Sequence, residues 1–516
     1  MKLIELTLSP EQAAKESVYK PIVVSRAGYG NDCKIRIIRK SIDARKGIKV
    51  NMAFEVFEAN EELSQLTQFN WGDVSTSKEV VVIGSGPAGL FAALRLIELG
   101  LKPIILERGI DVSARKKDIA SLNRNGEINI DSNYCFGEGG AGTYSDGKLF
   151  TRSKKKGNSR RILEIFHIHG ALESILYEAH PHIGTEKLPR VIAAIREQIL
   201  KSGGEIHYSK RVVDFVIKEQ KITKVITSDG DSIDAESVIL ATGHSARDIY
   251  ELLDKKSVLL EPKNFAMGVR VEHPQRVIDY IQYKQPTRGD YLPAAAYSLV
   301  TQAAGRGVYS FCMCPGGFIV PASTGVGECV VNGMSPSNRN SKYANSGIVT
   351  EVRESDYAHL QQQFGVLAGL EFQRQFEVAA FKAGGENAQV APAQRLRDFV
   401  ENKESKTTPE TSYHPGVVSS NMHTWMPEFI SNSLRLGFID FGKKMKGFVS
   451  SEALILGVES RTSSPLRIPR DKELLTHVEI CNLYPCGEGA GYAGGIVSAA
   501  VDGERVAEKI AEKYCK

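Results

Sequence analysis

The chain has 516 residues, 65 of them basic and 61 acidic, for a formal charge of +4. That length buries a core without disulfides or structural metal, and the near balance of charge excludes a polycationic nucleic-acid binder and an acidic disordered tail. A 42% hydrophobic and 24% charged composition is that of a soluble globular protein, and its 47 glycines cluster in a few loops.

Residues 1–75 read as a small α+β module: a strand at Leu3–Leu8, a helix capped by Ser9, and alternating strands at Cys33–Ile38 and Ile48–Phe57. Glu5 and Glu11 break the apolar character of the N-terminus, which argues against a signal peptide. The most apolar long window, Val80–Leu101, contains Arg95 and Glu98, so no membrane span is expected and a cytoplasmic location is the default. The polar stretch Asn70–Ser77 reads as a linker.

Residues 76–260 begin with a βαβ unit. They continue through a basic segment that includes Lys154–Lys156, a helix over 185–202, a β-meander over Glu205–Lys224 and a buried strand at Ser237–Thr242. Residues 261–465 read as an inserted, mixed, β-rich substrate domain. Residues 466–516 return to the first domain through a strand at Glu479–Tyr484, a glycine-rich turn and a helix from about Gly494 to Lys513. The expected class is α/β: a Rossmann-type dinucleotide domain with a β-rich insertion, preceded by the N-terminal module.

The strongest motif follows the β-branched strand at Glu79. Gly84, Gly86 and Gly89, with Pro87 and Ala88 between them, form GxGxxG at the start of a helix. The glycines permit a tight turn, close approach of a pyrophosphate and close helix–strand packing, and the helix N-terminus attracts the phosphates. The next strand, Pro103–Leu106, ends in Glu107, whose carboxylate suits ribose hydroxyls and repels a 2′-phosphate.

Three segments resemble glutathione-reductase-type flavoproteins and favour FAD over NAD. They are Glu107-Arg108-Gly109 with Arg115, the turn Ala241-Thr242-Gly243, and the terminal Leu483–Ile496. By that resemblance Gly487, Glu488, Gly494, Gly495 and Ile496 lie on the flavin and ribityl chain, with Val212 also beside the cofactor. A second GxGxxG, at Gly489, Gly491 and Gly494, is not read as a separate NADH site, because no second strand ending in an acid follows it.

In the loop Gly137–Lys148, backbone N–H groups at Gly139, Gly140 and Gly142 suit a phosphate or the flavin. Asp146 and Lys148 close the loop, Lys148 as a cation for the reduced flavin. His244 follows the Ala-Thr-Gly turn. Arg461, beside Ser463 and Ser464, is the candidate for orienting an anionic substrate. Lys148, Arg461 and His244 are the catalytic candidates.

The eight cysteines form no zinc ribbon, and His180 and His182 lack a third ligand, so no metal is expected. Cys135 has no partner thiol for a disulfide relay. Cys312 and Cys314 admit two readings, a redox-active CxC or two small buried side chains, and the second is the commoner outcome. Cys486 lies beside the expected flavin.

The chain further resembles the bacterial FAD-dependent dehydrogenases, also called NAD(FAD)-utilising dehydrogenases, whose substrates are unassigned. The resemblance spans nearly the whole length. It rests on Arg39–Gly47, Phe136–Lys148, Pro181–Thr185, Tyr309–Gly317, Asn332–Ser335 and Glu459–Pro465. It implies FAD and redox chemistry only; the leading reading adds noncovalent FAD, since no Cys or His stands in a flavin-linking motif, and hydride transfer at flavin N5 to or from a small-molecule substrate or NAD(P)H as a transient reductant, the substrate anionic if Arg461 orients it. Two alternatives stand beside it. One is a flavin-dependent RNA modifier using Lys154–Lys156 and the basic string Arg39–Gly47, which a charge of +4 disfavours. The other is a non-catalytic FAD-binding redox sensor.

Overall fold

The computed structural model describes residues 1–62, 66–151 and 157–514. Lys154–Lys156, singled out above, lie outside the described residues, as does Cys515, one of the eight cysteines.

A five-stranded parallel sheet organises the dinucleotide lobe. Its order is Leu483–Pro485, Val238–Leu240, Glu79–Ile83, Lys102–Leu106 and Glu205–His207. The central strands are near-continuous β-branched runs because helices cover the sheet. Helices Pro87–Glu98 and Ile496–Tyr514 pack so closely that a Cβ at Gly503 would overlap the Ala88 carbonyl oxygen. The expected meander needs correction. Glu205–His207 is the edge strand of the parallel sheet, and the antiparallel meander is Val212–Lys218, Lys221–Thr227 and Ser232–Asp234. A three-residue edge strand carries too little alternation to be told from its neighbours.

The second lobe is built on an eight-stranded, mostly antiparallel sheet. Strand Phe265–Pro274 lies at its centre between Tyr343–Val352 and Leu454–Glu459, and the long strand Arg306–Pro321 follows Tyr343–Val352. Helices Ala368–Ala383 and Glu428–Lys444 contribute the aromatic core, including Phe372, Phe376, Phe438 and Phe441. Register shifts interrupt Arg306–Pro321 between Phe311 and Gly317, and Cys312 sits there at φ +44°. A bulge therefore interrupts the strand at this point, and of the two cysteines expected to be buried Cys314 is buried while Cys312 is exposed to the cavity.

The N-terminal module is a three-stranded antiparallel sheet, Lys2–Leu8, Lys49–Phe57 and Lys34–Asp43 in spatial order, covered by helix Glu16–Ala27. Edge strand Lys34–Asp43 is bound to the dinucleotide lobe: Lys40 N–H donates to Tyr177 O at 2.8 Å, and Ala179 N–H to Lys40 O at 3.0 Å. The linker is docked as well. Phe69 and Trp71 stack at 5.2 Å against the lobe's core, and Val74 N–H donates to Ser202 O at 2.9 Å. Among the described residues no helix is long and apolar enough to cross a membrane.

Candidate active site

The glycines of the fingerprint do different work. Gly84 lies at φ +101°, and a Cβ there would stand 2.5 Å from Ala241 O, so the crossing Ala-Thr-Gly turn demands glycine. A Cβ at Gly89 would overlap the Gly84 carbonyl, so Gly89 serves helix–strand packing. Gly86 is constrained by neither. Its φ is −71° and a Cβ would find nothing nearer than 3.9 Å. Gly494 likewise has no neighbour within 4 Å of a Cβ. Both leave open space that the protein does not use, as a cofactor's close approach requires. Helix Pro87–Glu98 starts at Gly86 without a side-chain cap, so its N-terminus presents unfilled donors.

Glu107 is buried at the end of its strand. One oxygen accepts from Ser85 N (2.9 Å) and Ser85 Oγ (2.6 Å), the other from Gly109 N (2.9 Å) and Gly137 N (3.1 Å). The carboxylate thus ties three loops together where the adenosine ribose was expected. A ribose hydroxyl would share it with Ser85.

These elements open onto one cavity of about 1540 Å³. Gly84, Gly86, Pro87 and Ala88 form its floor, with Glu107, Arg108 and Val212 at one end. Ala241, Thr242, Gly243 and His244 follow, then Gly140, Gly142, Asp146 and Lys148 from the glycine loop. Glu488, Gly494, Gly495, Ile496 and Arg461 complete this part of the wall. Four expected residues stand behind the wall. Gly89 packs as described. Gly139 N–H holds Ser85 O at 2.9 Å, and Gly487 N–H donates to Asp502 at 2.9 Å. Arg115 is fully buried and donates to the carbonyls of Asn133, Glu138 and Gly140, so it braces the glycine loop rather than facing the cavity.

The catalytic candidates separate in the same way. His244 Nε2 lies 3.6 Å from Glu488 Oε2. Burial, with Arg461, Lys263 and Arg247 nearby, pulls its pKa down to about 4, so it is a neutral imidazole at pH 7. Burial raises the Glu488 carboxyl above its ordinary range. Lys148 Nζ is 3.4 Å from both Cys314 Sγ and Asp146 Oδ2. Burial opposes its charge, but Cys314, Asp146 and Cys312 outweigh it, and the ammonium is held above its usual pKa.

Arg461 requires correction. Its Nε and Nη2 donate to Glu377 at 3.1 Å each, Nη2 also to Glu328 at 2.9 Å, and Nη1 to Thr324 Oγ1 at 2.5 Å. Arg247 pairs with the same two carboxylates at 2.7 and 2.9 Å. The fork reserved for a substrate anion is engaged in a two-arginine, two-glutamate cluster joining the lobes. The partners lie more than 80 residues away in sequence, and no local pattern signals them.

Sequence reasoning missed the far end of the cavity. Lys40–Arg45 of the N-terminal module, Phe150, Tyr291 and Arg339 line it. The basic string Arg39–Gly47 is the available signal, which the sequence assigns to an RNA-modifier alternative rather than to the cavity. Among the described residues no group of His, Cys, Asp and Glu could hold a metal ion.

Comparison with known proteins bears on this arrangement. Residues 264–462 match the family "FAD-dependent protein, C-terminal domain-like", residues 79–116 match "FAD binding domain", and residues 1–57 match a domain of unknown function. An uncharacterized protein of Clostridium beijerinckii is 41% identical over 502 residues, 93% of each chain. The thiamine thiazole synthase of Pyrococcus horikoshii is 25% identical over 195 residues, 36% of this chain and 64% of that one. Among solved structures, a geranylgeranyl bacteriochlorophyll reductase-like protein of Thermoplasma acidophilum is 14% identical with a TM-score of 0.35, covering 85% of this chain and 80% of that one.

The fold, the glycine cradle and the two FAD families define an FAD-binding flavoprotein. The chain belongs to the same family as the Clostridium beijerinckii protein.

Proposed function

We propose that the protein is an FAD-dependent dehydrogenase that binds its cofactor noncovalently and oxidises or reduces a small molecule in the part of the cavity beyond Lys148. When bound, FAD supplies a hydride acceptor at N5. The residues would hold it from both ends. Gly86 and the N-terminus of helix Pro87–Glu98 take the pyrophosphate, and Glu107 with Ser85 orients the ribose. Glu488 and the turn Gly494-Gly495 would take the ribityl chain, and helix Ile496–Tyr514 would offer its positive end to the flavin. Lys148 keeps a positive charge in the cavity, and His244, held as a neutral imidazole beside Glu488, offers a hydrogen bond rather than a proton-accepting base.

The cavity itself carries the reading. At about 1540 Å³ it exceeds the roughly 300–1,000 Å³ of a single-ligand site. It runs past the cofactor cradle to Phe150, Cys312 and the N-terminal module. That surplus supports a second molecule beside FAD and disfavours a sensor without a substrate pocket. NAD(P)H is the proposed electron partner. The test is anaerobic mixing of the yellow protein with NADH, NADPH and candidate metabolites. Bleaching of the flavin by one reduced nicotinamide and reoxidation by a small molecule is expected. A flavin that no small molecule reduces or reoxidises would refute the dehydrogenase reading.

A further inference from the structure

The N-terminal module lines part of the cavity and bridges the two lobes. On one side, edge strand Lys34–Asp43 is hydrogen-bonded to Tyr177 and Ala179. That segment continues to Pro181 and Ile183, which pair with Leu149 and Gly147 beside Lys148. On the other side, Lys15 Nζ sits 5.5 Å from the Tyr291 ring. The module is therefore tied to the loop that carries Lys148 and to the lobe that carries Cys312.

The surface so lined has two characters. Ile42, Phe150 and Tyr291 are among the exposed large side chains, at 39%, 50% and 44%, and all three line this one cavity although they come from three separate parts of the chain. Such convergence marks an apolar binding surface rather than scattered exposure. Beside it lie Lys40, Lys148 and Arg339, facing Asp146 and Glu178. Asp146 is paired with Arg339 at 2.9 Å and with Lys148 at 3.4 Å. Lys40, half-buried, has no carboxylate within 4 Å among the described residues. Its Nζ shares a strand face with Ile42, two residues on. Arg339 Nε and His182 Nδ1, both on residues of this wall, are buried without a partner.

We propose that the N-terminal module is the substrate wall of this enzyme and that the substrate is an amphipathic anion. Its acidic head is held by Lys40 with Arg339 and Lys148, and its apolar body lies on Ile42, Phe150 and Tyr291. The proposal rests on the dehydrogenase reading above and names the substrate class that reading leaves open.

The test is equilibrium dialysis of anilinonaphthalene sulfonate, an apolar body with one negative charge, against the full-length holoprotein, with flavin content followed by visible absorbance. Lys40→Glu is expected to weaken probe binding on the order of tenfold, as loss of a charge-assisted contact implies, and Lys40→Arg to restore it. Ile42→Asn should weaken both this probe and neutral N-phenylnaphthylamine, whereas Lys40→Glu should leave the neutral probe unaffected. A yellow, folded protein whose sulfonate affinity ignores both Lys40→Glu and Ile42→Asn overturns the proposal. A colourless full-length protein would instead overturn the flavin reading beneath it.

Discussion

His244 places its Nε2 3.6 Å from Oε2 of Glu488, joining the turns that follow two neighbouring strands, Val238–Leu240 and Leu483–Pro485. The contact sits where the parallel sheet delivers both of its cofactor turns. It is a contact between a neutral ring and a carboxyl group, because burial and Arg461 oppose a second positive charge there.

This has a consequence for stability against pH. His244 and the fully buried His273 both have folded-state pKa values pulled down to about 4, by burial in each case. An unfolded histidine titrates near 6.5. The folded state is favoured in full above about pH 6.5, and that contribution is lost as pH falls toward 4. His273 bonds Phe448 O through Nε2 at 2.8 Å and leaves Nδ1 without a partner, so protonation would bury an unpaired donor. Urea unfolding should show a plateau above pH 7 and a decline below 6.5. His273→Gln should flatten the decline by an amount on the order of 3 kcal/mol. An unchanged slope in His273→Gln would contradict the neutral buried state.

The fingerprint glycines offer a paired test. Gly86→Val meets no protein atom nearer than 3.9 Å at its Cβ, so the chain should fold and show a thermal transition close to the wild type. It should nevertheless be colourless, because the side chain stands where the pyrophosphate approaches. Gly89→Val must overlap Gly84 O and should fail to give soluble folded protein. Flavin absorbance and circular dichroism separate the two outcomes. A yellow Gly86→Val protein would remove Gly86 from the cofactor site.

What was legible in the sequence was local. Gly84, Gly86 and Gly89 follow a strand and open a helix, and Glu107 closes the next strand, so spacing alone places them at the carboxyl ends of parallel strands. The Ala241–Gly243 and Glu488–Ile496 turns are likewise set by short strands immediately before them. What escaped depends on distant contacts. Lys40 and Ile42 reach the cavity only because their strand edge binds residues 177–179, a pairing no periodicity encodes. The partners of Arg461, Glu328 and Glu377, come from separate elements of the second lobe. Cys312 departs from the buried side chain expected of it for a different reason. A bulge at φ +44° replaces the strand geometry that the alternation implied.

The Arg461 cluster predicts a structural phenotype. Glu377 is fully buried and lies between Arg461 and Arg247, which hold its carboxyl down at about 2 against the cost of burial. Arg461→Ala leaves the pair of carboxylates with Arg247 alone, and breaking such a buried network costs about 3–5 kcal/mol. Arg461→Lys keeps a charge but loses the fork and should retain only part of that stability. FAD content per folded molecule should stay near the wild type in both variants. Wild-type stability in Arg461→Ala, together with a selective loss of substrate binding, would return Arg461 to the substrate-orienting role.

Cys312 provides a test of thiol chemistry in the cavity. It is a free thiol exposed to the cavity, which is itself enclosed by much of the protein, on the bulge that Arg270 fixes by donating to Cys312 O at 2.6 Å. Burial pushes its pKa up to about 11 even though Lys148 pulls the other way. At pH 7 the thiolate is then roughly one part in ten thousand, and the thiol is a poor nucleophile. Iodoacetamide should label Cys312 slowly at neutral pH, with a rate that climbs about tenfold per pH unit up to near pH 10. Cys481, exposed at the surface, serves as the comparison within the same digest. Lys148→Met removes an ammonium that, with Arg270, favours the thiolate and should slow the labelling of Cys312 further, leaving Cys481 unaffected. Mild oxidation with diamide should leave Cys312 and Cys314 as thiols, because Cys314 is buried and already donates to Cys312 O at 3.3 Å. Rapid labelling at pH 7, or an oxidised Cys312–Cys314 peptide by mass, would show instead that the pair is redox-active and that the bulge exists to present it to the cavity.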